Sequence, residues 1–129
     1  MAHPNEELIR AGYDAFSRGD LDALREMWDP AIAWHVSGRN PLSGDYKGAD
    51  SVLGFFGQLA ERTGGTFQVV LHDVLANDTH VASLQSNRGE RTGRRLDVRV
   101  VLTWHVRGGK VVEVWDLTDD QYASDEFWS

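Results

Sequence analysis

The sequence contains no cysteine. That excludes a nucleophilic thiol, zinc held by thiolates and a disulfide framework, and it leaves the redox environment open. No apolar run approaches the roughly 18 residues that a membrane-crossing helix needs, and the opening MAHPNEELIR lacks the apolar centre of a secretory leader. A cytoplasmic protein with no membrane partner is the expectation. Positive charge is short as well: 13 Lys and Arg against 20 Asp and Glu give a formal charge of −7. Affinity for nucleic acid comes mainly from clustered cations that displace counterions, so nucleic acid is not an expected partner. The cationic cluster Arg88, Arg91, Arg94 and Arg95 has no aromatics between its members. It reads as a hairpin end whose charges discourage edge-to-edge strand pairing.

What is present is an ordinary globular composition, 41% apolar and 10% aromatic over 129 residues. This predicts one domain spanning residues 1–129 with one packed core. From Asn5 to Ser17 apolar residues recur at three- and four-residue steps, the stripe of an amphipathic helix that Gly19 should end. Asp20 stands as an N-cap for a second, shorter helix carrying Leu21, Leu24, Met27 and Trp28, closed by Pro30. Residues 31–36 read as a strand, and SGRNPLSGDYKG after it as a loop. Val52, Phe55, Phe56 and Leu59 mark a third helix over 49–62, stopped by Gly64 and Gly65. The segments 66–76, 79–90, 94–107 and 110–118 are strand-like. At about 3.3 Å per residue the longest strands reach roughly 35 Å, too long to stay flat. The expected fold is therefore α+β, with three N-terminal helices packed in a strongly curved, mostly antiparallel sheet.

With GG at 108–109 as a two-residue turn, Arg107 faces Lys110, His105 faces Val112, Thr103 faces Val114 and Val101 faces Asp116. One face then carries Val98, Val100, Leu102, Trp104 and Val106 with Val111, Glu113, Trp115 and Leu117. The other mixes Arg99, Val101, Thr103 and His105 with Val112, Val114, Asp116 and Thr118, and a mixture of branched apolar and a few polar groups suits a ligand pocket. If the mixed face lines a cavity, the apolar face is left bare, and a homodimer packed sheet to sheet would cover it. If the apolar face is the core, the mixed face is solvated.

YDAFSRGDLDALREMWDPAIAWHVSG, YKGADSVLGFF and VRGGKVVEVWD, in that order, resemble the helix, strand and hairpin signatures of the nuclear transport factor 2-like superfamily, in its SnoaL-like and ketosteroid-isomerase-like branch. The resemblance implies a cone-shaped roll of helices and curved sheet around a mostly apolar pocket, commonly as a homodimer. It places His35 at the position of the isomerases' general base, where an imidazole can take and return a proton near neutral pH. The isomerases' tyrosine position falls on Gly12, beside Tyr13, and their acidic oxyanion partner near Thr103. In SnoaL-like cyclases an acid on or just after the last strand does this work, which here means Asp116 or Asp119, and facing favours Asp116. From the residues alone His35, between Trp34 and Val36, reads first as a hydrogen-bonded structural histidine, and it is the resemblance that brings the base to the fore.

The expected site has His35 and Asp116 as catalytic residues and Tyr13, Trp34, Phe55, Thr103, His105 and Val114 around a hydrophobic small-molecule ligand, with no cofactor. No metal is expected, since His72 and His80 lack ligand spacing. Phe127 and Trp128 are expected to anchor the tail on the body or on a partner subunit. The expected activity is an isomerase, cyclase or lyase reaction on an apolar carbonyl or polycyclic substrate; the alternative is a non-catalytic binding or dimerisation module.

Overall fold

The computed structural model describes residues 2–129. The chain runs α1 (Pro4–Arg18), α2 (Leu21–Met27), β1 (Trp28–Val36), β2 (Gly44–Lys47), α3 (Ala49–Arg62), β3 (Gln68–Ala76), β4 (His80–Arg91), β5 (Arg94–Arg107), β6 (Lys110–Thr118) and α4 (Gln121–Trp128). The six strands form one sheet in the order β2-β1-β6-β5-β4-β3. Among the described residues only β1 and β6 pair in parallel. The expected α+β roll is what the chain adopts.

Local chemistry accounts for the helix ends. His3 caps α1 by accepting from the Asn5 amide, and Gly19, at φ 68°, ends it in the left-handed conformation that a residue with Cβ rarely takes. Asp20 caps α2 through the Ala23 amide, as its position predicts. Pro30 behaves differently from expectation. The second helix stops at Met27, and Pro30 lies inside β1, where pairing with β6 is interrupted between Trp28 and Ala33. A proline has no amide to donate, so it is tolerated where the ladder is already broken.

The sequence reading also misses two elements. DYK, taken as loop, is the short edge strand β2, and QYASDEFW is a fourth helix capped by Asp120. That helix buries Phe127 and Trp128 against the body. Its C-terminal carbonyls accept from two arginines of the β4–β5 hairpin: Arg91 reaches Phe127 O at 2.6 Å and Arg94 reaches Glu126 O at 2.7 Å. Part of the cationic cluster thus holds a helix end, a favourable place for positive charge. Gln121 and Asp125 tie the other side of α4 to the 37–40 loop, with Asp125 accepting from the Arg39 amide and Asn40 Nδ2.

The decisive local feature is a bulge in the β5–β6 hairpin. Pairing starts as expected, Arg107 with Lys110, and then slips, so that His105 faces Glu113, Trp104 faces Val114 and Leu102 faces Asp116. One extra residue on β6 moves every following side chain to the opposite face. The concave face packed against the helices is therefore the apolar one of β5, joined by Val114, Asp116 and Thr118 of β6. The convex face carries Val101, Thr103 and His105 with Glu113, Trp115 and Leu117.

Candidate active site

The helical stripes and the concave sheet face enclose a predominantly apolar cavity, walled by Phe16, Trp28, Trp34, Phe55, Phe56 and Trp104, with Tyr13, Gln85, Asn87 and Asp116 as its polar members. Aromatic rings make most of its wall. Trp34 is the hub, with ring centres 5.2 Å from Phe56, 5.4 Å from Trp104 and 6.3 Å from Trp28, all edge-to-face. Phe16 from α1 meets Phe56 from α3 at 5.1 Å, edge-on, across the helices. These contacts follow from period: 3.6 on the helices and 2 on the strands bring the large side chains to one side.

Asp116 is the acid in this cavity. Trp34 Nε1 donates to its Oδ2 at 3.5 Å, a long contact. The surface that Asp116 keeps faces the hollow, where apolar walls solvate charge poorly. Burial accordingly pushes its carboxyl up to about 6, against the smaller lowering effect of the Trp34 indole. A group titrating there is ionised at neutral pH yet basic enough to accept a proton and return it. A second, smaller hollow lies under α4 and shares Asp116, Asn87, Phe55 and Leu59 with the first.

A chain of polar side chains runs in the cavity wall from β5, by way of Tyr13 on α1, to β4. Trp104 Nε1 donates to Ser83 Oγ at 2.8 Å, Ser83 Oγ and the Tyr13 hydroxyl lie 2.6 Å apart, and Tyr13 donates to Gln85 Oε1 at 2.5 Å. Gln85 Nε2 then donates to Asn87 Oδ1 at 2.6 Å. Burial, and to a lesser degree the charge of Asp116, push the Tyr13 phenol above its ordinary value, opposed by the Ser83 bond, so it stays protonated.

Of the expected site residues, Tyr13, Trp34, Phe55 and Asp116 line the cavity together. Val114 is fully buried on the same concave face, behind the cavity wall. His35, Thr103 and His105 lie across the sheet on the convex face, so the expected meeting of His35 and Asp116 is corrected. In β1 alternation turns Trp34 inward and His35 outward beside Trp115, its ring partner at 5.6 Å. There His35 bridges Asp45 and Glu113, 2.6 Å from each, and those two hydrogen bonds raise its pKa. It is the hydrogen-bonded structural histidine of the two readings. Thr103 sits beside Trp115, and His105 stacks on His80 with ring centres 4.9 Å apart. Asp119 holds the Arg99 amide at the end of the sheet.

Ser83, Gln85 and Asn87 were missed from sequence. Their signal is the alternation SLQSN, which puts all three on one strand face, but polar residues at period two usually mark a solvated face. Among the described residues no group of three or more His, Cys, Asp or Glu side chains could hold a metal ion, and no helix is long and apolar enough to cross a membrane.

Comparison with known proteins agrees with this architecture. An uncharacterized protein of Mycobacterium tuberculosis is 34% identical over 124 residues, covering 95% of each chain. Among solved structures, Bal32a from a soil-derived mobile gene cassette is 39% identical, covering 98% of this chain and 97% of its own, with a TM-score of 0.94. A Jannaschia sp. CCS1 protein assigned as a SnoaL-like polyketide cyclase shares the fold at 20% identity and a TM-score of 0.76, covering 90% of this chain and 85% of its own. The family model of the SnoaL-like domain matches residues 9–114, and the chain belongs to that family, within the nuclear transport factor 2-like superfamily.

Proposed function

We propose that this protein is an acid–base enzyme of isomerase, cyclase or lyase type, needing no cofactor, that acts on an apolar carbonyl-containing or polycyclic small molecule. Asp116 takes a proton from carbon next to the carbonyl and returns it at another carbon. The C–H pair moves into a C=C bond, the oxygen takes the negative charge, and reprotonation reverses that flow, so the step needs no electron donor or acceptor.

The observation that carries this reading is the placement of Asp116: a half-buried carboxyl lining a cavity walled by aromatic rings, with one long hydrogen bond from Trp34, where burial also raises its pKa. A carboxylate facing apolar walls with one long hydrogen bond is costly to fold around, and such costs gather at functional sites. The test is hydrogen exchange into a small apolar ketone such as 2-tetralone in D2O, followed by proton NMR. The protein is expected to accelerate exchange, and Asp116→Asn to lower the acceleration by about 10²–10⁴-fold. Unchanged acceleration in the variant would end the proposal.

A second reading, a non-catalytic carrier, is favoured by the bonding of Tyr13, Gln85 and Asn87 of the cavity wall to one another and to Ser83 behind it. It predicts tight binding of apolar ligands with no exchange. For partners, we propose a second copy of the chain on the convex sheet face, where Leu84 is 37% and Leu117 49% exposed. Sedimentation at micromolar concentration tests this, and a monomer throughout would refute it.

A further inference from the structure

We propose that Asn87 grips the carbonyl oxygen of the substrate, and that the polar chain behind it exists to aim and strengthen its amide. This rests on the reading that Asp116 moves a proton in the same cavity.

Direction is built into the chain. An indole N–H can only donate, so Ser83 Oγ accepts from Trp104. The Tyr13 hydroxyl donates to Gln85 Oε1, which leaves the Gln85 amide nitrogen as donor to Asn87 Oδ1. Asn87 therefore turns its oxygen toward Gln85. Its Nδ2, the last donor in the series, meets no protein acceptor among the described residues. Hydrogen bonds aligned head to tail polarise one another, so this terminal N–H is a better donor than an isolated amide.

Asn87 and Asp116 both border the two hollows. A ligand at that junction meets a neutral donor and a proton-transfer group together. The function that uses both is a ketone or other carbonyl with hydrogen on its neighbouring carbon: Asn87 binds the oxygen as it gains charge while Asp116 takes the proton. The C–H bond breaks and its electron pair forms a C=C bond, the carbonyl π pair moves onto the oxygen held by Asn87, and the proton forms an O–H bond on Asp116. Gln85, Tyr13 and Ser83 are positioning residues.

The experiment compares fluorenone with fluorene, which share rings and differ by the carbonyl, using quenching of the cavity tryptophans. Wild type should favour fluorenone by about tenfold, the worth of one good neutral hydrogen bond. Asn87→Leu should bind the two equally. In wild type alone, bound fluorenone should show a lowered C=O stretching frequency and shift the Asn87 side-chain amide resonances, and fluorene should leave those resonances unmoved. These wild-type readouts decide the matter should N87L not fold. Equal binding of both probes, binding of neither, or a preference surviving in N87L would overturn the role of Asn87. Loss of exchange in D116N alongside no fluorenone preference would sustain Asp116 and sink Asn87; the reverse pattern would do the opposite.

Discussion

Replacing Asp116 by Asn should make the protein more stable at neutral pH, and by an amount that depends on pH in a specified way. The carboxyl titrates near 3.8 in an unfolded chain and about 6 in the cavity. At about 1.4 kcal/mol per pH unit, that difference means that the ionised group destabilises the folded state by about 3 kcal/mol. The sign follows from proton counting. Between about pH 4 and 6 the folded protein holds a proton that the unfolded chain has released, so stability falls as pH rises through this window. Below it both states are protonated and the penalty is absent; above it the penalty is complete and constant. Asn is close in size to the protonated acid and does not titrate. Urea unfolding of both proteins, followed by tryptophan fluorescence from pH 4 to 8, gives a difference in which the other carboxylates cancel. The variant should exceed wild type by only about 0.6 kcal/mol at pH 4 and by about 3 kcal/mol at pH 8. A difference that stays flat across this range, or that favours wild type as pH rises, would refute the placement of a charge in a dry cavity.

His35→Ala should leave ketone exchange within about threefold of wild type, because the side chain lies across the sheet from the cavity. The Asp45 and Glu113 bonds raise the His35 pKa above 6.5, so its stabilisation is complete below pH 6.5 and is lost as pH rises through the folded value. Solvent screening keeps that contribution below about 1 kcal/mol, and unfolding of the variant at pH 5.5 and pH 9 measures it. Trp34→Phe removes the indole donor that lowers the Asp116 pKa, and should move the pH–rate profile for exchange to higher pH; an unmoved or acid-shifted profile would show that the contact is not felt. Arg91→Ala and Arg94→Ala should each cost about 1 kcal/mol and speed amide exchange in α4 while leaving the centre of β5 protected, as native-state hydrogen exchange can resolve.

Most of the architecture is legible because the patterns are strong. The stripe Val52, Phe55, Phe56 and Leu59 bounds α3 at residues 49–62 as the sequence reading does, and the turn at 108–109 opens the final hairpin in the expected register. The site was harder to read because a bulge leaves no mark on period two. VVEVW is apolar enough to face either way, and the clue was Glu113, which the regular register forces into an otherwise apolar face. Slipping by one residue sends Glu113 out to His35 and brings Asp116 in to Trp34. Asp116 was thus placed in a cavity on an argument about facing that the structure replaces with another. His35 sat at an inherited position whose neighbours, Asp45 and Glu113, come from two other strands that no local pattern brings together. α4 was missed because QYASDEFW is short and only weakly amphipathic, and its burial depends on arginines more than thirty residues away.

The most direct measurement is a carbon-detected NMR titration of the Asp116 carboxyl, assigned by its disappearance in D116N. A midpoint about 6 that moves when an apolar ketone occupies the cavity is the predicted result. A midpoint near 3.8, indifferent to ligand, would mean that the carboxyl sits in water and does no proton chemistry there.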